Sequence, residues 1–428
     1  MKESKVQSPK SRVGPALLSA FVCFMLFCQK PLTAPDSSVL LEPADSSVLH
    51  AGSVTLVWVQ PLAVSGYELR VGADAKFRSL VLDDTVVPEY RVPEAPADTH
   101  RFVLVVPDGS YWWQVRTQST EEVWSEWSEA WQFEVSRFRV VTSIKTQGYP
   151  HDIETHSGRA YIADGQAGLA VFDITRPEAP TLLGTKMDSM NVAWGVAASD
   201  SYAYITYGSK ELYIVDVSRP ESLKVAGELE YPQPGYGYDV AVKDTFAYLA
   251  ADAQFIVVNV AQPAYPNLVY QYRYPHDCRD VAVSGSYCYL ACGQLGVAVW
   301  KVESLPPRQV ASFDTPANAL SVAVSGNFLY VADTRNGLIV ADISDPLNPR
   351  PVATLGLSGY ARHVSVADSF AYVSCEAGGL FVVNVAQPER PVLAATLNLP
   401  YTMCAQAEDG YVFAGDRDSG LVVIKLEE

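Results

Sequence analysis

Gly337-Leu338-Ile339-Val340-Ala341-Asp342 returns 42 residues later as Gly379-Leu380-Phe381-Val382-Val383-Asn384. The same form stands earlier as Gly168-Leu169-Ala170-Val171-Phe172-Asp173, and without the glycine as Leu212-Tyr213-Ile214-Val215-Asp216. A short apolar run closed by Asp or Asn has the length and composition of a buried strand stopped by a turn former. Proline follows the first six copies, at Pro177/Pro180, Pro220, Pro263/Pro266, Pro306/Pro307, Pro346/Pro349 and Pro388/Pro391. Upstream of each copy lies a second apolar strand beginning at Ile153, Val196, Val240, Val281, Val322, Val364 and Ala405. These anchors are 43, 44, 41, 41, 42 and 41 residues apart. Eight residues after each anchor comes an aromatic: Tyr161, Tyr204, Tyr248, Tyr289, Tyr330, Tyr372 and Phe413. Between anchor and aromatic sit hairpin signals such as Ser157-Gly158, Ser284-Gly285, Ser325-Gly326 and Asp409-Gly410.

Four short strands in about 42 residues is the content of one propeller blade. Seven copies over residues 138–428 predict a seven-bladed β-propeller. The seventh copy ends after three strands, and Val140-Val141-Thr142-Ser143-Ile144 is the strand left over at the other end. The reading therefore expects those two ends to pair and close the ring, which removes the sheet edges that invite aggregation. The repeated Leu-x-Val-x-Asp element makes the region resemble the bacterial LVIVD-repeat propellers. Copies four and seven depart from it with Lys301 and Lys425 in place of Asp or Asn. The resemblance implies blades and no particular chemistry, because this fold serves enzymes and binders alike.

Residues 38–137 read as a separate β-sandwich. Short β-rich runs (Val54–Val59, Tyr67–Val71, Ser79–Leu82, Phe102–Val106, Tyr111–Arg116, Trp131–Val135) alternate with turn residues at Pro61, Gly66, Gly72, Pro96 and Asp108-Gly109. About seven strands in 100 residues fit two packed sheets. Trp58, the strand Tyr111-Trp112-Trp113-Gln114-Val115-Arg116 and the element Trp124-Ser125-Glu126-Trp127-Ser128 resemble a fibronectin type III domain. That resemblance implies a ladder of arginines stacked on tryptophans, with Arg116 as a candidate rung.

The N-terminus reads as an export signal. Lys2, Lys5, Lys10 and Arg12 precede an uncharged stretch from Ala16 to Phe27. Cys28 at its border resembles the acylation site of bacterial lipoproteins, although Met25-Leu26-Phe27 lack the small residue that family prefers before the cysteine. Residues 1–28 are expected to be the signal and residues 29–37 a Pro/Ser-rich tether. Over all 428 residues, 31 Lys and Arg face 48 Asp and Glu, a net charge of −17 that argues against nucleic acid as a partner. No apolar run of spanning length follows residue 30, so a polytopic membrane protein is not expected.

In propellers the first strand of each blade lines the axis, so residues just before the anchors converge on one face. Here they are aromatic and charged: Tyr149, His151, Asp152, Trp194, Tyr236, Tyr238, Asp239, His276, Arg279, Asp280, Tyr360, Arg362, His363 and Tyr401. Aromatic faces stack on sugar rings or apolar side chains while Asp, Arg and His fix orientation. The expectation is a cell-surface module whose face binds a glycan, peptide or protein partner. The alternative is a propeller hydrolase or lactonase using the axial Asp and His. No nucleophile elbow, phosphate loop or His-Glu-x-x-His motif is present, and no contiguous Asp/Asn loop suits Ca²⁺, so neither cofactor nor metal is expected. Of the cysteines beyond Cys28, Cys278, Cys288, Cys292, Cys375 and Cys404 are expected to be buried free thiols, with a disulfide left open among pairings the sequence does not derive.

Overall fold

The alternation of apolar runs and turn residues becomes strand and hairpin throughout. The structure, a computed structural model, describes residues 39–426 apart from 45–46, 50–52, 60–63, 87–98, 107–108, 120–121, 136, 188–190, 209–210 and 231–235. The expected signal, tether and Cys28 lie outside the described residues. One 3-10 turn, Pro220–Ser222, is the only helical element among the described residues. No described helix is long and apolar enough to cross a membrane.

Residues 39–135 form two sheets. Val39–Glu42, Ser53–Val59 and Thr99–Val105 make one. The other runs Ser47–Leu49, Trp131–Val135, Gly109–Ser119, Val64–Gly72, Leu80–Val86 in spatial order. They share a core of Trp58, Tyr67, Leu69, Trp113, Val115 and Phe133, each at most 1% exposed. On the outside of the longer sheet the Arg116 guanidinium lies 4.9 Å over Trp124 and 4.7 Å over Trp127, and Arg70 lies 4.0 Å over Trp127. The intervening serines bind that segment to the sheet: the Thr117 N–H donates to Ser125 Oγ (3.0 Å) and the Val115 N–H to Ser128 Oγ (3.1 Å).

From Phe138 on, the described strands group into seven four-stranded antiparallel sheets. Six consist of four consecutive strands. The seventh joins Thr402–Glu408, Tyr411–Asp416 and Gly420–Leu426 to Phe138–Ile144, with Leu421 opposite Ile144 and Leu426 opposite Phe138. The first strands of successive sheets pack side by side, and that of the seventh, Thr402–Glu408, packs against that of the first, Asp152–His156. The circuit is closed.

Residue identities explain this regularity. The aromatics eight after each anchor are all buried, from 1% to 6% exposed, between neighbouring sheets. Apolar layers fill each gap; between the third and fourth sheets they include Tyr248, Phe255, Leu290 and Trp300, whose indole N–H donates to Tyr274 Oη (2.6 Å). Each such buried aliphatic or aromatic side chain contributes about 1.5–3 kcal/mol. The glycine opening the repeat element adopts φ of +78°, +79° and +82° at Gly168, Gly337 and Gly379, where a Cβ would strike the outer strand's backbone. The closing Asp or Asn builds a turn: Asp173, Asp216, Asn259, Asp342 and Asn384 each accept the N–H two residues on, at 2.8–3.0 Å. The repeat motif is thus spent on folding.

Candidate functional site

The first strand of each sheet borders a cavity of about 540 Å³ along the centre of the ring. Side chains alternate along a strand, so anchors point between sheets while the residues on either side of them point inward. This yields layers. At the mouth, two before each anchor, are His151, Trp194, Tyr238, Arg279, Leu320, Arg362 and Met403. Next, one before each anchor, come Asp152, Gly195, Asp239, Asp280, Ser321, His363 and Cys404. One after each anchor stand Glu154, Ala197, Ala241, Ala282, Ala323, Ser365 and Gln406, and all seven line the cavity. The four alanines leave the width that makes it a cavity.

The second layer clasps sheet to sheet. The Val196 N–H donates to Asp152 Oδ2 (2.8 Å), the Val281 N–H to Asp239 Oδ2 (3.0 Å) and the Val322 N–H to Asp280 Oδ2 (3.3 Å). The Val364 N–H donates to Ser321 Oγ (3.1 Å). In each pair the donor is the anchor of the following sheet. Gly195 makes no clasp because a Cβ there would fall 2.5 Å from Asp239 Cα.

Burial and crowding of acids set the electrostatics. Asp239 and Asp280 hydrogen-bond to each other, and burial followed by the Asp280 charge drives the Asp239 pKa well up. Burial also pushes Asp280 up to about 7, and burial with the nearby Asp239 charge takes Asp152 to about 7. Glu154, one layer deeper, is raised to about 8 by burial and then by Asp152, Asp239 and Glu408. The imidazoles move the other way: burial, then the Arg362 charge, lowers both His151 and His363 to about 4. His363 Nε2 sits 3.7 Å from Asp152 Oδ1, too far for a hydrogen bond, and is neutral at pH 7.

The mouth has an aromatic side. His151 stacks on Trp194 at 4.2 Å, Trp194 meets Tyr238 edge-on at 5.6 Å, and Tyr236 stacks on Tyr238 at 6.2 Å. The Arg279 guanidinium lies 4.0 Å over Tyr238 and pairs with Asp277 (3.0 Å). Arg362 is 3.7 Å from Glu376, whose other oxygen accepts the Tyr401 hydroxyl proton (2.8 Å).

Nine of the fourteen residues expected from the sequence line the cavity: His151, Asp152, Trp194, Tyr238, Asp239, Arg279, Asp280, Arg362 and His363. Tyr149, Tyr236 and Tyr360 are instead on the outer rim, 56%, 52% and 36% exposed. Tyr401 stands behind Glu376 under Arg417, and His276 is exposed; the three histidines do not meet. Four residues before an anchor the chain is still outside the ring, and the inward alternation begins only at the strand. Glu154, Ser365, Gln406 and the alanines were missed. Their signal was alanine recurring one after the anchors in strands otherwise rich in valine. Among the described residues no group of three or more His, Cys, Asp or Glu is arranged to hold a metal ion.

The cysteine expectation needs a correction. Cys278 and Cys292 form a disulfide, while Cys288, Cys375 and Cys404 are buried free thiols. The hairpin explains it: Asp280 lies opposite Ala291 and the Arg279 N–H donates to Ala291 O, which carries Cys278 alongside Cys292. Eleven after the anchor, other sheets use Asp to hold the same lead-in loop. Asp164 accepts the Gly148 N–H (2.8 Å), Asp333 the Ala317 N–H (3.0 Å) and Asp416 the Tyr401 N–H (2.7 Å). The disulfide is the covalent counterpart of that clamp, and it fixes the segment bearing Arg279.

Comparison with known proteins agrees with this architecture. No curated protein matches the chain. The WD40 β-propeller domain of Doa1 is similar in structure, with a TM-score of 0.56, 10% identity, and coverage of 68% of this chain and 98% of that one. The computationally designed Ika8 protein is similar with a TM-score of 0.50, 10% identity, and coverage of 67% and 99%. At such identity the likeness speaks for fold alone, and that fold is a repeat β-propeller. Residues 147–188, 192–230, 234–273, 275–299, 316–353 and 358–398 each match the LVIVD repeat, together more than half of the chain. The chain belongs to the LVIVD-repeat family.

Proposed function

We propose that the chain is an exported binding protein of the cell surface whose axial cavity takes up a glycan, a peptide or part of a protein partner. The seven sheets act as the blades of a seven-bladed propeller, the binding head. Residues 38–137 act as a fibronectin type III-like spacer, a reading supported by the Arg–Trp ladder on its outer face. Cys28 serves as a membrane tether. Export is also supported by the Cys278–Cys292 disulfide, since such bonds persist in oxidising compartments. The observation that carries binding is the mouth: a cavity of about 540 Å³ lies between the aromatic faces of Trp194 and Tyr238 and the guanidinium groups of Arg279 and Arg362. Aromatic faces beside a few charged groups around a cavity suit a ligand with apolar and polar parts. The test is a screen of glycans, cell-wall fragments and peptides against the full chain, with Trp194→Ala as control. A ligand bound by the parent and lost in the variant supports the cavity; a ligand retained by the variant refutes it.

A hydrolase or lactonase is the second reading, favoured by one observation. Glu154 and the Asp239–Asp280 pair hold protons near neutrality, as general acids must. Turnover of an ester, lactone or glycoside that is abolished by Asp280→Asn would establish it.

A further inference from the structure

We propose that the cavity mouth is a carboxylate subsite and that the ligand is an acidic sugar, held by its carboxylate at Arg362 and Arg279. The inference rests on the cavity being the binding site. Its basis is an excess of donors. A guanidinium carries five N–H donors. The Arg362 guanidinium makes no hydrogen bond among the described residues, and its nearest acid, Glu376, is 3.7 Å away and already engaged by Tyr401. Arg279 spends one donor on Asp277 (3.0 Å) and lies flat on Tyr238. The two cations are close enough for Arg279 to disfavour the charge on Arg362.

Two like charges with guanidinium N–H groups to spare call for a ligand that only accepts. A carboxylate does so, and the fork of a guanidinium matches it in two bonds. The layer beneath selects the rest of the ligand. Asp152, Asp239 and Asp280 offer no cation to a second negative charge, so a monoanion is favoured over a phosphate. The same oxygens accept or donate to hydroxyls, and Trp194 with Tyr238 offers an apolar face for a pyranose ring. The cavity volume of about 540 Å³ falls within the roughly 300–1,000 Å³ of small-molecule sites.

The experiment is calorimetric titration of the full chain with dimers of galacturonate, glucuronate and mannuronate, and with N-acetylneuraminate. Neutral digalactose, acetate and free tripeptides are titrated beside them. The expected result is binding of at least one acidic sugar, at least tenfold weaker binding of the neutral sugar, and at least a tenfold loss in Arg362→Gln with its Tm unchanged. Arg279→Gln should lose affinity too, which keeps the test open should Arg362→Gln fail to fold. Acetate bound as well as any sugar would show an anion site without sugar recognition and overturn the proposal. So would equal affinity for neutral and acidic sugars; if that binding vanished in Trp194→Ala, the cavity would stand and only the carboxylate subsite would fall. Tripeptides bound in place of sugars, or no acidic sugar bound at all, would also overturn it.

Discussion

Replacing Asp280 by Asn should flatten the pH dependence of stability. The Asp280 carboxyl titrates near 7 in the folded chain, because of burial, against about 3.8 for an ordinary Asp. A raised acid pKa means that the folded state holds a proton the unfolded chain has released. The associated stability is complete below about pH 4 and is lost as pH rises through about 7. Between those limits one such group contributes a slope of about 1.4 kcal/mol per pH unit. Integrated from pH 5 to pH 7 with these two pKa values, Asp280 alone accounts for a loss of about 2 kcal/mol. Water reaching the channel reduces this to about 1–2 kcal/mol, or about 2–6 °C in Tm at the ratio usual for large domains. Asn retains an oxygen for the Val322 N–H and removes one of the charges that raise Asp239, whose burial remains, so the Asp280 slope is lost and that of Asp239 is lowered. The assay is Tm by calorimetry at half-unit pH steps from 5 to 8. Asp342→Asn is the control, since it removes the same charge from an exposed turn whose carboxylate is held below its ordinary pKa by the Ser344 N–H. Parallel Tm–pH curves for the parent and Asp280→Asn would refute the reasoning, because the carboxyl would then be ionised in the folded chain at neutral pH.

Three further outcomes follow from the same geometry. Gly195→Ala sets a methyl group 2.5 Å from Asp239 Cα and should destabilise by about 1–3 kcal/mol, read as a lower midpoint in urea unfolding. Cys278→Ser opens a cross-link 14 residues long and should lower stability by about 3 kcal/mol, with the parent falling to the same value once reduced. His151 and His363 have pKa values lowered to about 4, so their stabilisation is complete above about 6.5 and is lost as pH falls through 4. Their imidazole C–H proton resonances should stay constant in NMR spectra from pH 8 to pH 5.

Much of the ring was legible because its units repeat. The pairing of Phe138–Ile144 with Gly420–Leu426 follows from counting strands, since six copies carry four and the last carries three. The residues two before the anchors line the cavity for a reason other than alternation: His151, Arg279 and Arg362 precede their strands, and register shifts at Trp194 and Tyr238 interrupt theirs. Partnership was not legible. Nothing in the chain near Asp152 shows that its oxygen will meet the Val196 N–H, 44 residues on, so a clasp looked like a ligand group. The exposed tyrosines misled for a related reason: Tyr149 and Tyr360 belong to loops whose path is set by Asp164 and by Gly359 at φ +101°, not by strand alternation. The Cys278–Cys292 pairing was not legible because sequence distance does not show that the lead-in loop folds back beside the second strand of its own hairpin.

The clasps give a reason to regard the axial acids as more than structural. Ser321 shows that an uncharged side chain can hold the next anchor's N–H at 3.1 Å. A serine would therefore serve at positions 152, 239 and 280 without burying carboxyls that repel one another. Three carboxyls stand there instead, with Glu154 beneath them, and burial raises the pKa of all four. Natural chains keep such unfavourable groupings where function needs them and compensate elsewhere, here with tightly packed layers between the sheets. A ligand bearing hydroxyls would bond to these groups and offset part of that cost on binding. A ligand carboxylate at Arg279 and Arg362 would meet the donors that the chain leaves unpaired. On the proposed reading, the acids inside and the arginines at the mouth would be two halves of one site, each costly alone and complementary to a molecule with hydroxyls at one end and a negative charge at the other.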